Sequence, residues 1–180
     1  MEFTGPTPEN HQDMYHLGRE EGYSLVGIAI LPTPYEDTPF LRVPLPYGGE
    51  VTYSEEGDGV LTQAHGLRVY AQACYSPEGP QAILEEAYAR IEAEGRDMYQ
   101  DGVFDIRYDE ETDMASKQIS FWEGENARIS FLVAQPMRQE GRYRYMEVTY
   151  LPEEMDDDYP TLIQEFSDAS DLVLPELDPF

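Results

Sequence analysis

Cys74 is the one cysteine of this chain, and His11, His16 and His65 are its three histidines. A cysteine nucleophile needs a histidine to draw off its proton and a third group to orient that histidine. His65 stands nearest to Cys74 in sequence, on a turn, and no neighbour along the chain orients it. Cys74 therefore reads as a small buried side chain at the end of a strand, since free cysteines are mostly buried and inert. Serines occur, but no G-x-S-x-G elbow holds one.

Metal chemistry needs donors at fixed spacing. His11 and His16 are poorly placed for one helix face, and neither HExxH nor a cysteine pair is present. The run Asp109-Glu110-Glu111-Thr112-Asp113 resembles a calcium loop at a glance. It fails because Met114 stands where the sharp-turn glycine belongs and Ser120 where the bidentate glutamate belongs. Asp156, Asp157 and Asp158 form an acidic turn. Paired carboxylates run glycoside hydrolysis, and Glu147 is notable because it interrupts an aromatic strand; a strand glutamate is expected to face solvent. Phosphate-loop and dinucleotide fingerprints are absent. The expectation is a protein that is not an enzyme and has no cofactor and no metal.

What remains is charge. Lys and Arg together number 11 against 37 Asp and Glu, a net charge of −26 over 180 residues. Lys117 is the sole lysine. Such a surface repels nucleic acid and anionic membrane and attracts basic partners, and no basic stripe exists for DNA or RNA. The hydrophobic fraction of 41% and the 14 tyrosines argue for a folded core under a charged skin rather than disorder. No secretory leader is visible at Met1–Gln12. The longest apolar run, Leu25–Leu31, is too short to span a bilayer, so a cytoplasmic location is expected.

The elements that would carry these groups follow from periodicity. Glu9–Gly22 reads as a short polar helix and Tyr23–Leu31 as a buried strand. Pro32, Pro34, Pro39, Pro44 and Pro46 then forbid a helix and disfavour a central strand. Residues 1–49 are expected to form a proline-rich arm packed on a body at 50–180, one structural domain in all. Val51–Tyr53 begins a strand, and Leu67–Cys74 alternates, with Leu67, Val69, Ala71 and Ala73 to one side. Pro80–Gly95 is an amphipathic helix with Ile83, Leu84, Ala87, Tyr88 and Ile91 on one face. Strands follow at Val103–Tyr108, Gln118–Trp122, Arg128–Ala134 and Arg142–Leu151, and a last helix carries Tyr159, Leu162, Ile163 and Phe166. The fold class expected is α+β, an antiparallel sheet of five to six strands covered by two helices.

From Leu67 to Asp171 this pattern resembles the PsbP-like architecture. The features are the helix at Pro80–Gly95, the meander ISFWEGENARISFLVA, the strand RYRYMEVTYLPEE and the closing helix YPTLIQEFSDASDL. The resemblance implies a scaffold for binding, adaptor or chaperone work, usually without catalysis, and supplies no site residues.

Acids and tyrosines interleave in three places. They are Tyr53, Glu55, Glu56 and Asp58; Tyr99, Asp101, Asp105, Tyr108, Asp109, Glu110, Glu111 and Asp113; and Glu153, Glu154, Asp156, Asp157, Asp158 and Tyr159. Acids speed association with a cationic partner, and tyrosines supply contact energy. Each cluster alone is also what a solvated turn looks like. The profile is similar to that of bacterial immunity proteins, which implies a small acidic antitoxin that silences a basic toxin or effector such as a nuclease. Three other readings stay open: an adaptor or chaperone of a secretion system such as type VI, a nucleic-acid mimic, and a halophilic protein whose charge answers high salt.

Overall fold

The computed structural model describes residues 16–18, 25–54, 59–94, 97–98, 102–172 and 174. Strands β1 (His16–Gly18), β2 (Val26–Tyr35) and β3 (Thr38–Pro46) form a three-stranded antiparallel sheet in that order. Then come β4 (Val51–Tyr53), β5 (Gly59–Ala64), β6 (Leu67–Tyr75), helix α1 (Pro80–Ala93), β7 (Asp97–Met98) and β8 (Arg107–Asp109). The chain continues through β9 (Met114–Glu123), β10 (Asn126–Pro136), β11 (Arg142–Tyr150), a 3-10 turn (Pro152–Glu154) and helix α2 (Tyr159–Ser170). The second sheet has eight strands in the order β4-β5-β6-β11-β10-β9-β7, with β8 also on β9. All its pairings are antiparallel. The class is thus α+β, with two helices among the described residues.

The main sheet is larger than the five to six strands expected. Its extra strands are the six-residue β5 and the two-residue β7, while β4 falls at the expected Val51–Tyr53 and is only three residues long. Two or three residues are too few to show a period of two. Of the strand expected at Val103–Tyr108, only Arg107 and Tyr108 pair in a ladder, which runs on to Asp109; ahead of it, Phe104 N–H makes a single bond to Gln118 O.

The prolines of 32–46 lie in β2 and β3, extended rather than helical, and three of them are on the edge strand β3. β3 pairs with β2 alone, so a proline there removes no second ladder. β1 pairs only with Ile28–Ile30, which leaves Pro32 and Pro34 beyond its reach, and the register shifts between Pro32 and Tyr35. Of the helix expected at Glu9–Gly22, only His16–Gly18 is described, and it pairs with β2 as a strand.

Both faces of the main sheet are covered in part. Leu67, Val69, Ala71 and Ala73 of β6, with Met146, Val148 and Tyr150 of β11, pack against the β2–β3 hairpin and against Leu162, Ile163 and Phe166 of α2. On the other face, Ile119 and Phe121 of β9 and Tyr143 and Tyr145 of β11 meet Ile83, Leu84, Ala87 and Ile91 of α1. The central strand β11 is thereby buried on both sides, which explains its run of aromatic and aliphatic residues. Pro80 opens α1 after Gly79, whose φ is 105°. None of the described helices is long and apolar enough to cross a membrane.

Candidate functional site

Ten-residue β9 separates the two acidic clusters that are described. Asp109 pairs with Met114 at one end of this strand, and Glu123 meets Asn126 at the other. A strand of that length spans about 30 Å. The clusters are therefore two surfaces, and their surroundings differ. Glu55, Glu56, Asp58, Tyr99 and Asp101 lie outside the described residues. Tyr53 is half-buried on β4 and packs against the core.

At the first end, the segment leading into β8, β8 itself and the turn into β9 hold Asp105, Tyr108, Asp109, Glu110, Glu111 and Asp113. Asp113 adopts φ 53° and is the brace of this turn. Its two carboxylate oxygens accept hydrogen bonds from the Tyr108 hydroxyl at 2.7 Å and the Tyr143 hydroxyl at 2.7 Å. Bonding to Asp113 raises the Tyr108 pKa. Burial, and then the same carboxylate, raise that of Tyr143. Asp109 Oδ1 accepts the Glu111 N–H at 2.9 Å, closing an Asx turn. Asp105, Asp109, Glu110 and Glu111 are exposed, and none forms an ion pair among the described residues. Beside them stand Phe104 at 47% and Tyr108 at 41% exposure.

The second end is different because the chain's own cations answer its acids. Glu153 takes both Nη atoms of Arg128, at 2.7 and 2.5 Å. Glu123 takes both Nη atoms of Arg68, at 3.0 and 2.9 Å. The Arg128 bond holds the Glu153 carboxyl below its usual range, and the bond to Glu123 raises the Arg68 pKa. Glu154 accepts from Gln63 at 2.6 Å. Asp156 meets His65 Nδ1 at 2.7 Å, which lowers the Asp156 pKa, and its other oxygen accepts the Asp158 N–H. His65, Asp156 and Asp158 bring donor atoms within 4.8 Å of one another, but both Asp156 oxygens already serve to hold the turn. Tyr159, expected on this surface, is turned inward: it is 8% exposed and packs 6.5 Å from the Tyr150 ring. It shares the α2 face of Leu162, Ile163 and Phe166, and that face packs on the sheet.

His65 is oriented after all, by Asp156 from 91 residues away. It does not serve Cys74, because the nine-residue β6 puts the two at opposite ends, roughly 25 Å apart. Cys74 instead lines a groove of about 610 Å³ between β6 and α1, with Tyr70, Gln72, Glu86, Arg90 and Tyr145. Glu147 does not face open solvent as a strand glutamate was expected to. It is half-buried, pairs with Arg90 and accepts the Tyr145 hydroxyl at 2.7 Å.

Arg68, Arg128, Glu123 and His65 are the residues the sequence reading missed at the acidic ends. Arg68 and Arg128 each occupy an alternate position in a strand, where a polar residue is normally read as exposed; Arg128 is 5% exposed. No protein-family model matches this chain, and no curated protein matches it in sequence. The fold class and the distribution of charge are therefore what bear on function.

Proposed function

We propose that this chain is a non-catalytic acidic binding protein that neutralises a basic protein, in the manner of an immunity protein acting on a toxic nuclease or another cationic effector. Asp105, Asp109, Glu110 and Glu111, with Tyr108 and Phe104, form the binding surface. One observation carries this choice: these acids form no ion pair among the described residues, whereas Glu153 and Asp156 at the other end are matched within the fold. Unmatched carboxylates steer a cationic partner and leave the aromatic rings to supply short-range contact. Asp113 holds the turn, so little order is lost on binding. Glu153, Glu154 and Asp156 to Asp158 contribute long-range attraction, and Tyr159 supports the core.

The test is a pull-down from the native lysate across a salt series, followed by kinetics on the captured partner. A single stoichiometric basic protein, held at moderate salt, is expected. Reversing Asp109, Glu110 and Glu111 to lysine then slows its association by about tenfold or more and leaves the fold intact by circular dichroism. Unchanged kinetics in that variant would remove this surface from the proposal. Capture of an apolar client that resists high salt would replace the inhibitor reading with the adaptor one.

A further inference from the structure

Three of the chain's eleven lysines and arginines fall in the stretch Arg138–Arg144, and the fold brings Arg42 of β3 to them. Arg142 is occupied by Asp37 and by the rings of Tyr35 and Tyr75. Arg42, Arg138 and Arg144 line a cleft of about 670 Å³ between β3 and the β10–β11 turn. A second cavity, of about 290 Å³, shares Arg42 and Arg144.

Arg144 is fixed by neutral acceptors. Its Nε donates to Gln135 Oε1 at 3.2 Å, Nη1 to Arg42 O at 2.9 Å, and Nη2 to Ser170 O at 3.0 Å and also to Gln135. No carboxylate of the described residues lies within ion-pair distance of this half-buried guanidinium. Burial lowers its pKa, Asp171 at longer range raises it, and Arg42 lowers it further. The group stays charged, since arginine does not deprotonate in proteins. Arg138 is exposed and makes no hydrogen bond or ion pair among the described residues. Phe40, at 56% exposure, with Leu41 and Met137, gives the cleft an apolar wall.

We propose that this cleft binds a small organic anion, its carboxylate or phosphate meeting Arg42, Arg138 and Arg144 and its apolar body lying on Phe40 and Met137. The planar fork of arginine matches both anions, and the volume is that of a small-molecule site. This site is independent of the basic-partner surface. The rest of a chain of net charge −26 repels anions, while at physiological salt nearby arginines dominate within about 8 Å. Anion binding here is therefore local rather than a general property of the surface.

The experiment titrates the full chain at about 0.15 M salt with the fluorescent probe 8-anilinonaphthalene-1-sulfonate, a sulfonate on apolar rings. Phenyl phosphate serves as competitor and N-phenyl-1-naphthylamine as the uncharged control. Saturable one-site binding is expected, displaced by phenyl phosphate and about tenfold weaker in Arg138→Gln and in Arg42→Gln. Arg107→Gln, on β8, leaves it unchanged. Arg138 makes no bond to lose among the described residues, so its variant is expected to fold; circular dichroism checks both. Absence of saturable binding, equal affinity in Arg138→Gln, or equal affinity for the uncharged probe would each overturn the proposal.

Discussion

Arg142 shows how much one side chain does for this fold. Its Cζ lies 3.9 Å from the Tyr35 ring centroid and 4.4 Å from that of Tyr75. Its Nε is 2.9 Å from Asp37 Oδ1. One guanidinium thus joins the β2–β3 turn to β6 and β11, and it holds the Asp37 carboxyl below its ordinary pKa. A cation over an aromatic face contributes about 0.5–1 kcal/mol when exposed and more when desolvated. The Arg142 side chain is 15% exposed, so Arg142→Ala is expected to lose about 1–2 kcal/mol from its two rings in denaturant unfolding. Arg142→Lys recovers less than half of that loss, because an ammonium cannot lie flat between two rings and also fork onto a carboxylate. Full recovery by lysine would reduce the contact to simple charge.

Among the elements, the β5–β6 hairpin fixes the second acidic end. Ala64 pairs with Leu67, which leaves His65 and Gly66 as a two-residue turn with φ of 53° and 89°. Both angles positive is the type I′ pattern that suits strand twist. Gly66 O accepts the Leu151 N–H at 2.8 Å, and a Cβ on Gly66 would meet Met155 Cγ at 2.6 Å and Cα at 2.9 Å. The β9–β10 hairpin is the comparison. Gly124 has φ 66°, and nothing lies within 4 Å of its added Cβ. Gly124→Ala is expected to cost about 1 kcal/mol from backbone conformation alone. Gly66→Ala should cost about 2 kcal/mol or more, since backbone must also move. Equal losses for the two variants in unfolding titrations would show that the Met155 contact relaxes freely.

For the molecule as a whole, net charge and matched acids act in opposite directions with pH. Acidification from neutrality toward the isoelectric point of about 4.1 removes charge and self-repulsion. Asp37, Glu153 and Asp156 have folded pKa values below their ordinary 3.8, 4.5 and 3.8. A carboxyl lowered by folding contributes stability that is fully present above its unfolded pKa and lost as pH falls through the folded one. Melting temperature is therefore expected to rise from pH 7 toward about pH 5 and to fall below about pH 4. In about 1 M salt the rise flattens, since exposed charges are screened over about 3 Å, while the acid-side fall persists. A monotonic decline from pH 7 at low salt would mean that self-repulsion has little weight in this fold.

The sequence by itself determined the elements whose period is long enough to read. The apolar faces of α1 and α2, the alternation at Leu67–Ala73 and the hairpin at Gly124 all follow from backbone geometry, which acts over a few residues. It also determined the total charge. Arg138, Arg142 and Arg144 are a concentration of rare cations in the sequence, but their spacing does not show what they face. Tertiary structure alone decided which charges count. Arg128 meets Glu153 across 25 residues and His65 meets Asp156 across 91, so those acids are matched, while Asp109 to Glu111 form no ion pair among the described residues. Arg144 reaches the carbonyl of Arg42 across 102 residues, which turns scattered arginines into a cleft. Burial and pairing depend on distance in space, and a one-dimensional pattern carries no information on which distant strands become neighbours.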